Sequence, residues 1–217
     1  IKQIVKDFDN IELLDIKKPR VGVVGEILVK YSKTANNDIV SIIEEEGGEA
    51  VVLDLIGFMN YSLYNQIWKT EEIGFAKKNK LIAKTFISII NMLEKPMDKA
   101  LRASQRFDGI ESIYEIAAHT EDIVSVGNHT GEGWFLTGEM IELLKKEVMN
   151  IVCLQPFGCL PNHIVGKGML KELRRQYPGA NISPIDYDPG VSAVNQLNRI
   201  RLMMTTAKKA IKEEVMV

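Results

Sequence analysis

The chain has 217 residues, 46% hydrophobic and 26% charged, with a formal net charge of −2. Such a composition excludes a disordered or fibrous chain and supplies one large core or two small ones. The near-neutral balance gives no global basic field for nucleic acid or an anionic membrane, and no apolar run approaches the roughly 20 residues that span a bilayer.

In chain order, Ile1-Lys2-Gln3 has neither an initiator Met nor a signal-peptide pattern, so an excised piece of a longer protein is expected. Residues 1–17 read as a linker. Arg20 to Ile27 is a short apolar run with turn signals, the pattern of a buried parallel strand. Asn36-Asn37-Asp38 offers N-cap chemistry for a helix through Ile39, Ile42 and Ile43. Gly47-Gly48 stops that helix, and Ala50 to Asp54 makes a second strand, completing a βαβ unit.

Strand signals vanish over 58–118. Ile82, Phe86, Ile89, Ile90 and Leu93 recur at helical spacing until Pro96 breaks the pattern. Lys77, Lys78, Lys80 and Lys84 read as a solvated face, because Glu71, Glu72 and Glu94 offset them and no aromatic interleaving suggests nucleic acid. The βα rhythm then returns. Ile123 to Val126 reads as a short strand, and Leu136, Met140, Leu143 and Leu144 as a helix stripe. Asn150 to Leu154 is a strand, and a helix begins at Pro161. Ile182 to Asp186 is a strand whose proline marks an edge, and a last helix runs from about Ser192 to Lys209. The expected fold is α/β: a doubly wound, mostly parallel sheet of Rossmann or flavodoxin type with a helical insertion. Residues 18–57 and 119–213 form the α/β domain and 58–118 the insertion.

Ligands of such sheets bind at the carboxyl ends of the strands. One loop there holds Glu26, Lys30, Tyr31, Ser32 and Asn36. A second holds Gly127, Asn128, His129, Gly131, Glu132 and Gly133, whose backbone N–H groups could approach a phosphate or carboxylate. It is not Gly-x-Gly-x-x-Gly and has no Walker lysine, so a tight turn before a helix competes with that reading. His129 is a candidate acid or base, and Glu139 reads as a solvated or capping carboxylate. A third loop carries Cys153, Cys159 and His163. Cys-x5-Cys is not a standard zinc or ferredoxin spacing. From spacing alone, a buried small hydrophobe and an incidental loop residue is the better reading of the cysteines, and metal ligation the lesser one. His163 suits a cap better than a ligand. A fourth loop is Asp186 to Gly190. Two cysteines and no signal sequence suit a reducing, cytoplasmic setting.

Four segments carry a resemblance: Lys18-Pro19-Arg20-Val21-Gly22-Val23-Val24-Gly25-Glu26-Ile27, Gly131 to Met140, Cys153-Leu154-Gln155-Pro156-Phe157-Gly158-Cys159-Leu160-Pro161-Asn162-His163, and Ile185-Asp186-Tyr187-Asp188-Pro189-Gly190. They resemble the C-terminal region of CoA-substrate-specific enzyme activases, large fused proteins akin to 2-hydroxyglutaryl-CoA dehydratases. The likeness covers about residues 18 to 207 and is most specific over 150–200. It implies the dehydratase-like, electron-accepting portion of a 2-hydroxyacyl-CoA dehydratase or related reductase. The implied cofactor is an iron–sulfur cluster, with Cys153 and Cys159 as ligands and other parts of the protein completing the set. The implied partners are an ATP-hydrolysing activator and an acyl-CoA substrate. Gly127, Asn128, Gly131, Glu132 and Gly133 are the candidate cofactor-binding residues, and no catalytic residue is singled out. Both cysteines are expected to face one pocket beside that glycine loop. Without a phosphate-binding loop, the chain alone is expected not to hydrolyse ATP. The rival reading is a non-catalytic Rossmann-like module for docking or oligomerisation.

Overall fold

A computed structural model describes residues 1–188, 190 and 192–215. Four strands, β1 (Arg20–Gly25), β2 (Glu49–Val52), β3 (Asn150–Pro156) and β4 (Asn181–Tyr187), form one all-parallel sheet in the order β2-β1-β3-β4. Ten helices are described: α1 (Lys2–Asp9), α2 (Ile27–Tyr31), α3 (Lys33–Asn36), α4 (Ile39–Glu45), α5 (Leu55–Glu72), α6 (Lys77–Leu101), α7 (Ile113–Glu121), α8 (Gly133–Lys145), α9 (Leu170–Gln176) and α10 (Ala193–Val215). Two compact units result: residues 1–16 with 55–115, and residues 17–54 with the chain from 116 onward.

The second unit is doubly wound, as its alternating strand and helix signals predict. Side chains alternate across each strand with period two. Val21, Val23, Val152, Leu154 and Ile185 share one apolar cluster with Ile39 and Ile43 of α4 and Met203 and Met204 of α10. Val24, Ile151, Cys153 and Ile182 join the opposite cluster, with Leu136, Met140 and Leu143 of α8 and Leu173 of α9. Burial of β1 on both faces explains its unbroken apolar run. Gly22 admits α8 close to the sheet, since a Cβ there would lie 2.5 Å from Leu143 Cδ1. Every residue of α8 from Gly133 to Leu144 is buried, more than its four-residue stripe suggests.

β4 is an edge strand, as Pro184 predicts. That residue pairs in register with Cys153, and Arg199 Nη1 of α10 donates to its carbonyl at 3.0 Å. The strand expected over Ile123–Val126 is instead turn and bend. The N–H groups of Ile123 and Val124 both donate to Thr120 O at 2.9 Å, closing α7, and Val126 N–H donates to Glu121 Oε2 at 2.7 Å. With three of its four N–H donors so committed, the segment has no run of donors to offer a sheet.

The other unit is helical. α6 runs through Pro96 to Leu101, where the sequence pattern predicts a break; proline's fixed φ suits a helix, and its cost is a missing N–H donor and crowding of the preceding turn. The stripe Ile82, Phe86, Ile89 and Leu93 is exposed, whereas Ala83 and Ile87 are buried where α6 runs along α5. Residues 1–16 belong to this unit rather than forming a linker. The Arg106 guanidinium donates to the carbonyls of Phe8 and Ile11 at 2.6 and 2.7 Å, and Ser104 Oγ donates to Asp9 at 2.5 Å. Among the described residues, no helix is long and apolar enough to cross a membrane.

Candidate functional site

The strand order places a topological switch between β1 and β3. From β1 the chain crosses through α4 to β2 on one side, whereas β3 lies on the other side and is reached through α8. In open α/β sheets, ligands bind outside the carboxyl ends of the strands at such a switch. The backbone is tight there: Gly25 has φ +146, and Glu26 N–H donates to Leu154 O at 3.0 Å. Because α8 leads into a strand of a parallel sheet, it runs antiparallel to the strands and starts at their carboxyl edge.

Three loops meet at that edge. Glu26 caps α2 by accepting from Val29 N–H at 2.9 Å, and Glu132 Oε1 accepts from Ile27 N–H at 3.2 Å. The glycine loop therefore rests on the chain leaving β1. It also folds on itself: Gly127 N–H donates to Ser125 Oγ, Asn128 Nδ2 to Ser125 O, and Trp134 N–H to Asn128 O. Gly131 and Gly133 turn the chain with φ of +62 and +50, a region that favours glycine. Asn128, Thr130 and Gly133 share a crevice of about 200 Å³ with Leu160, Pro161, Ile164 and Val165, which follow β3. Past Pro161 the chain makes a π turn, Asn162–Gly166, a geometry that recurs at functional sites. Thr137 Oγ1 of α8 donates to Val165 O within it.

The two cysteines differ sharply. Cys159 is half-exposed on the loop, and Cys153 is 0% exposed inside the α8-side cluster. Burial pushes the Cys153 thiol up to about 12, with the Glu139 and Asp186 carboxylates adding to the effect. It stays protonated at neutral pH, a poor nucleophile and a poor metal ligand. The expectation that both sulfurs face one accessible pocket is corrected on this point. Strand period two sends Cys153 inward with Ile151, against Gly166, where an added Cβ would lie 3.4 Å from its sulfur. A thiol reagent is expected to label one cysteine in the native protein and two in denaturant, with Cys159→Ser abolishing the native reaction. Equal native labelling of both would contradict the burial.

Buried and paired polar groups line this edge. Lys30 Nζ lies 2.6 Å from Glu139 Oε1, with side chains 3% and 4% exposed. Burial opposes the Lys30 ammonium, but the Glu139 carboxylate outweighs it and holds Lys30 above its ordinary value. Glu139 is thus a buried partner rather than a solvated cap; the available signal was a carboxylate between apolar neighbours in an apolar helix. Asn162 is 0% exposed with neither amide atom partnered. Gln155 donates to Asp186 Oδ1 at 2.6 Å, and Lys167 stands 3.8 Å from that carboxylate. His163 closes the first turn, its N–H donating to Cys159 O at 3.0 Å. Pro189 of the fourth loop lies outside the described residues. Compared with protein-family models, curated proteins and solved structures, the chain finds no match.

Proposed function

We propose that this chain is the dehydratase-like, electron-accepting portion of an ATP-activated 2-hydroxyacyl-CoA dehydratase or related reductase. One observation carries the reading: two loops bearing the resemblance, the glycine loop and the loop after β3, line one crevice at the carboxyl edge, and Cys159 directly precedes its lining residues Leu160 and Pro161. Cys159 is the thiol this chain contributes to an iron–sulfur cluster. Its own donor set does not fit a whole cluster, which wants about four ligands. Cys153 is sealed, and no three His, Cys, Asp or Glu side chains among the described residues are placed to hold a metal ion. The remaining ligands come from other parts of the protein or from a partner.

The test is iron and labile sulfide in the full-length protein, reconstituted without oxygen. Cys159→Ser should lower bound iron, and Cys153→Ser should leave it near the parent level. Unchanged iron in Cys159→Ser would sink the reading. The exposed side chains of Phe157 and Leu160 on the same loop favour a second reading, a module that docks the activator. In that case Phe157→Ser with Leu160→Ser would abolish binding of the activator, while Cys159→Ser would change neither iron nor binding.

A further inference from the structure

The helical unit holds a hollow of about 260 Å³, walled by α5, α6 and the segment 110–115. Its charged lining is Glu94, Asp98, Glu111 and Glu115 against Lys95 and Arg102, so negative charge predominates. The wall is a built one. Asp98 holds the Arg102 guanidinium through two contacts of 2.9 Å and accepts from Ile110 N–H at 2.8 Å. Arg102 Nη2 donates to Ile110 O at 2.8 Å. Glu115 accepts from the N–H and hydroxyl of Ser112 at 2.9 and 2.7 Å. The Asp98 and Arg102 contacts to Ile110 fix this segment to the end of α6.

Asn60 of α5 also lines the hollow. It is 7% exposed, and its buried Oδ1 has no hydrogen-bond partner. Buried acceptors are rarely left unpaired in folded proteins, and a guest in the hollow would bring the donor that the protein itself does not supply. A group made only of donors and carrying positive charge answers both the amide oxygen and the acidic lining; an ammonium is such a group. A bare metal ion fits less well, because no three His, Cys, Asp or Glu among the described residues are placed to hold one. At roughly 30 Å³ per water, the space admits several non-hydrogen atoms.

We propose that this hollow binds a small organic ammonium, a primary amine or diamine. Asn60 Oδ1 accepts one N–H, and the carboxylates balance the charge. The site is independent of the sheet edge and of any cluster.

Calorimetric titration of the whole chain with 1,4-diaminobutane, with 1,4-butanediol as an uncharged match, tests it. Saturable binding of the diamine and none of the diol is expected. Asn60→Leu should weaken binding at least about tenfold, the scale of one hydrogen bond to a charged group. Glu111→Gln should weaken it by a smaller factor and serves as the variant to read if Asn60→Leu fails to fold. Absence of saturable binding at millimolar diamine would overturn the proposal and leave ordered water as the partner of Asn60. Equal binding of the diol, or unchanged affinity in a folded Asn60→Leu or Glu111→Gln protein, would overturn it as well.

Discussion

Lys30→Met should destabilise the α/β unit by about 3–5 kcal/mol, the range for removing one partner of a buried ion pair. The loss arises because Glu139, 4% exposed on its side chain, is left charged without its ammonium. Replacing both residues, as in Lys30→Met with Glu139→Leu, should recover most of the loss, since the two desolvation costs leave together. Urea unfolding of the three proteins reads both effects. The single variant also has a predicted pH profile. Burial raises the Glu139 carboxyl, and without Lys30 nothing at 2.6 Å opposes that rise. A raised folded pKa stabilises below the unfolded carboxyl value, about 4, and that contribution is lost as pH rises through the folded value. Relative to Lys30→Met with Glu139→Gln, the single variant should therefore lose stability from acid toward neutral pH. A flat difference would mean that Glu139 finds another partner.

Gly25→Ala should be comparably damaging, through the backbone. The residue has φ +146, and a Cβ would fall 2.0 Å from Leu154 O. Strain of that kind and overpacking each cost on the order of 1–3 kcal/mol, so a loss above about 3 kcal/mol is expected. Gly74 supplies the control, with φ +79 and nothing within 4 Å of its would-be Cβ. Gly74→Ala should cost only about 1–2 kcal/mol, for the left-handed backbone alone. If the two substitutions cost the same, the close approach of β1 to β3 is not what requires glycine.

The parallel sheet was legible because its signals are local: apolar runs for β1 and β3, the stop at Gly47-Gly48, and Pro184 at an edge. Ile123–Val126 misled because β-branched residues at a helix end look like a strand until their hydrogen bonds are followed to Thr120 and Glu121. The α6 stripe misled differently. Helical spacing identifies a face, and here small Ala83 and Ile87 mark the side that packs. The carboxyl-edge loops were readable, because a helix feeding a parallel strand must begin there. The inward turn of Cys153 was readable too, since strand period two pairs it with Ile151. The Lys30–Glu139 contact was not: 109 positions separate its partners, and no local pattern joins them.

Pro184 also sets a limit on growth of the sheet. A strand residue's N–H and C=O point to the same side, so the Pro184 carbonyl held by Arg199 and its missing N–H both belong to the outer rim of β4. An incoming strand would meet neither a donor nor a free acceptor at the middle of that rim, an effective defence against edge-to-edge aggregation. β2, four residues long, contains no proline. Of the two edge strands, β2 is therefore the one that keeps a complete row of backbone N–H groups.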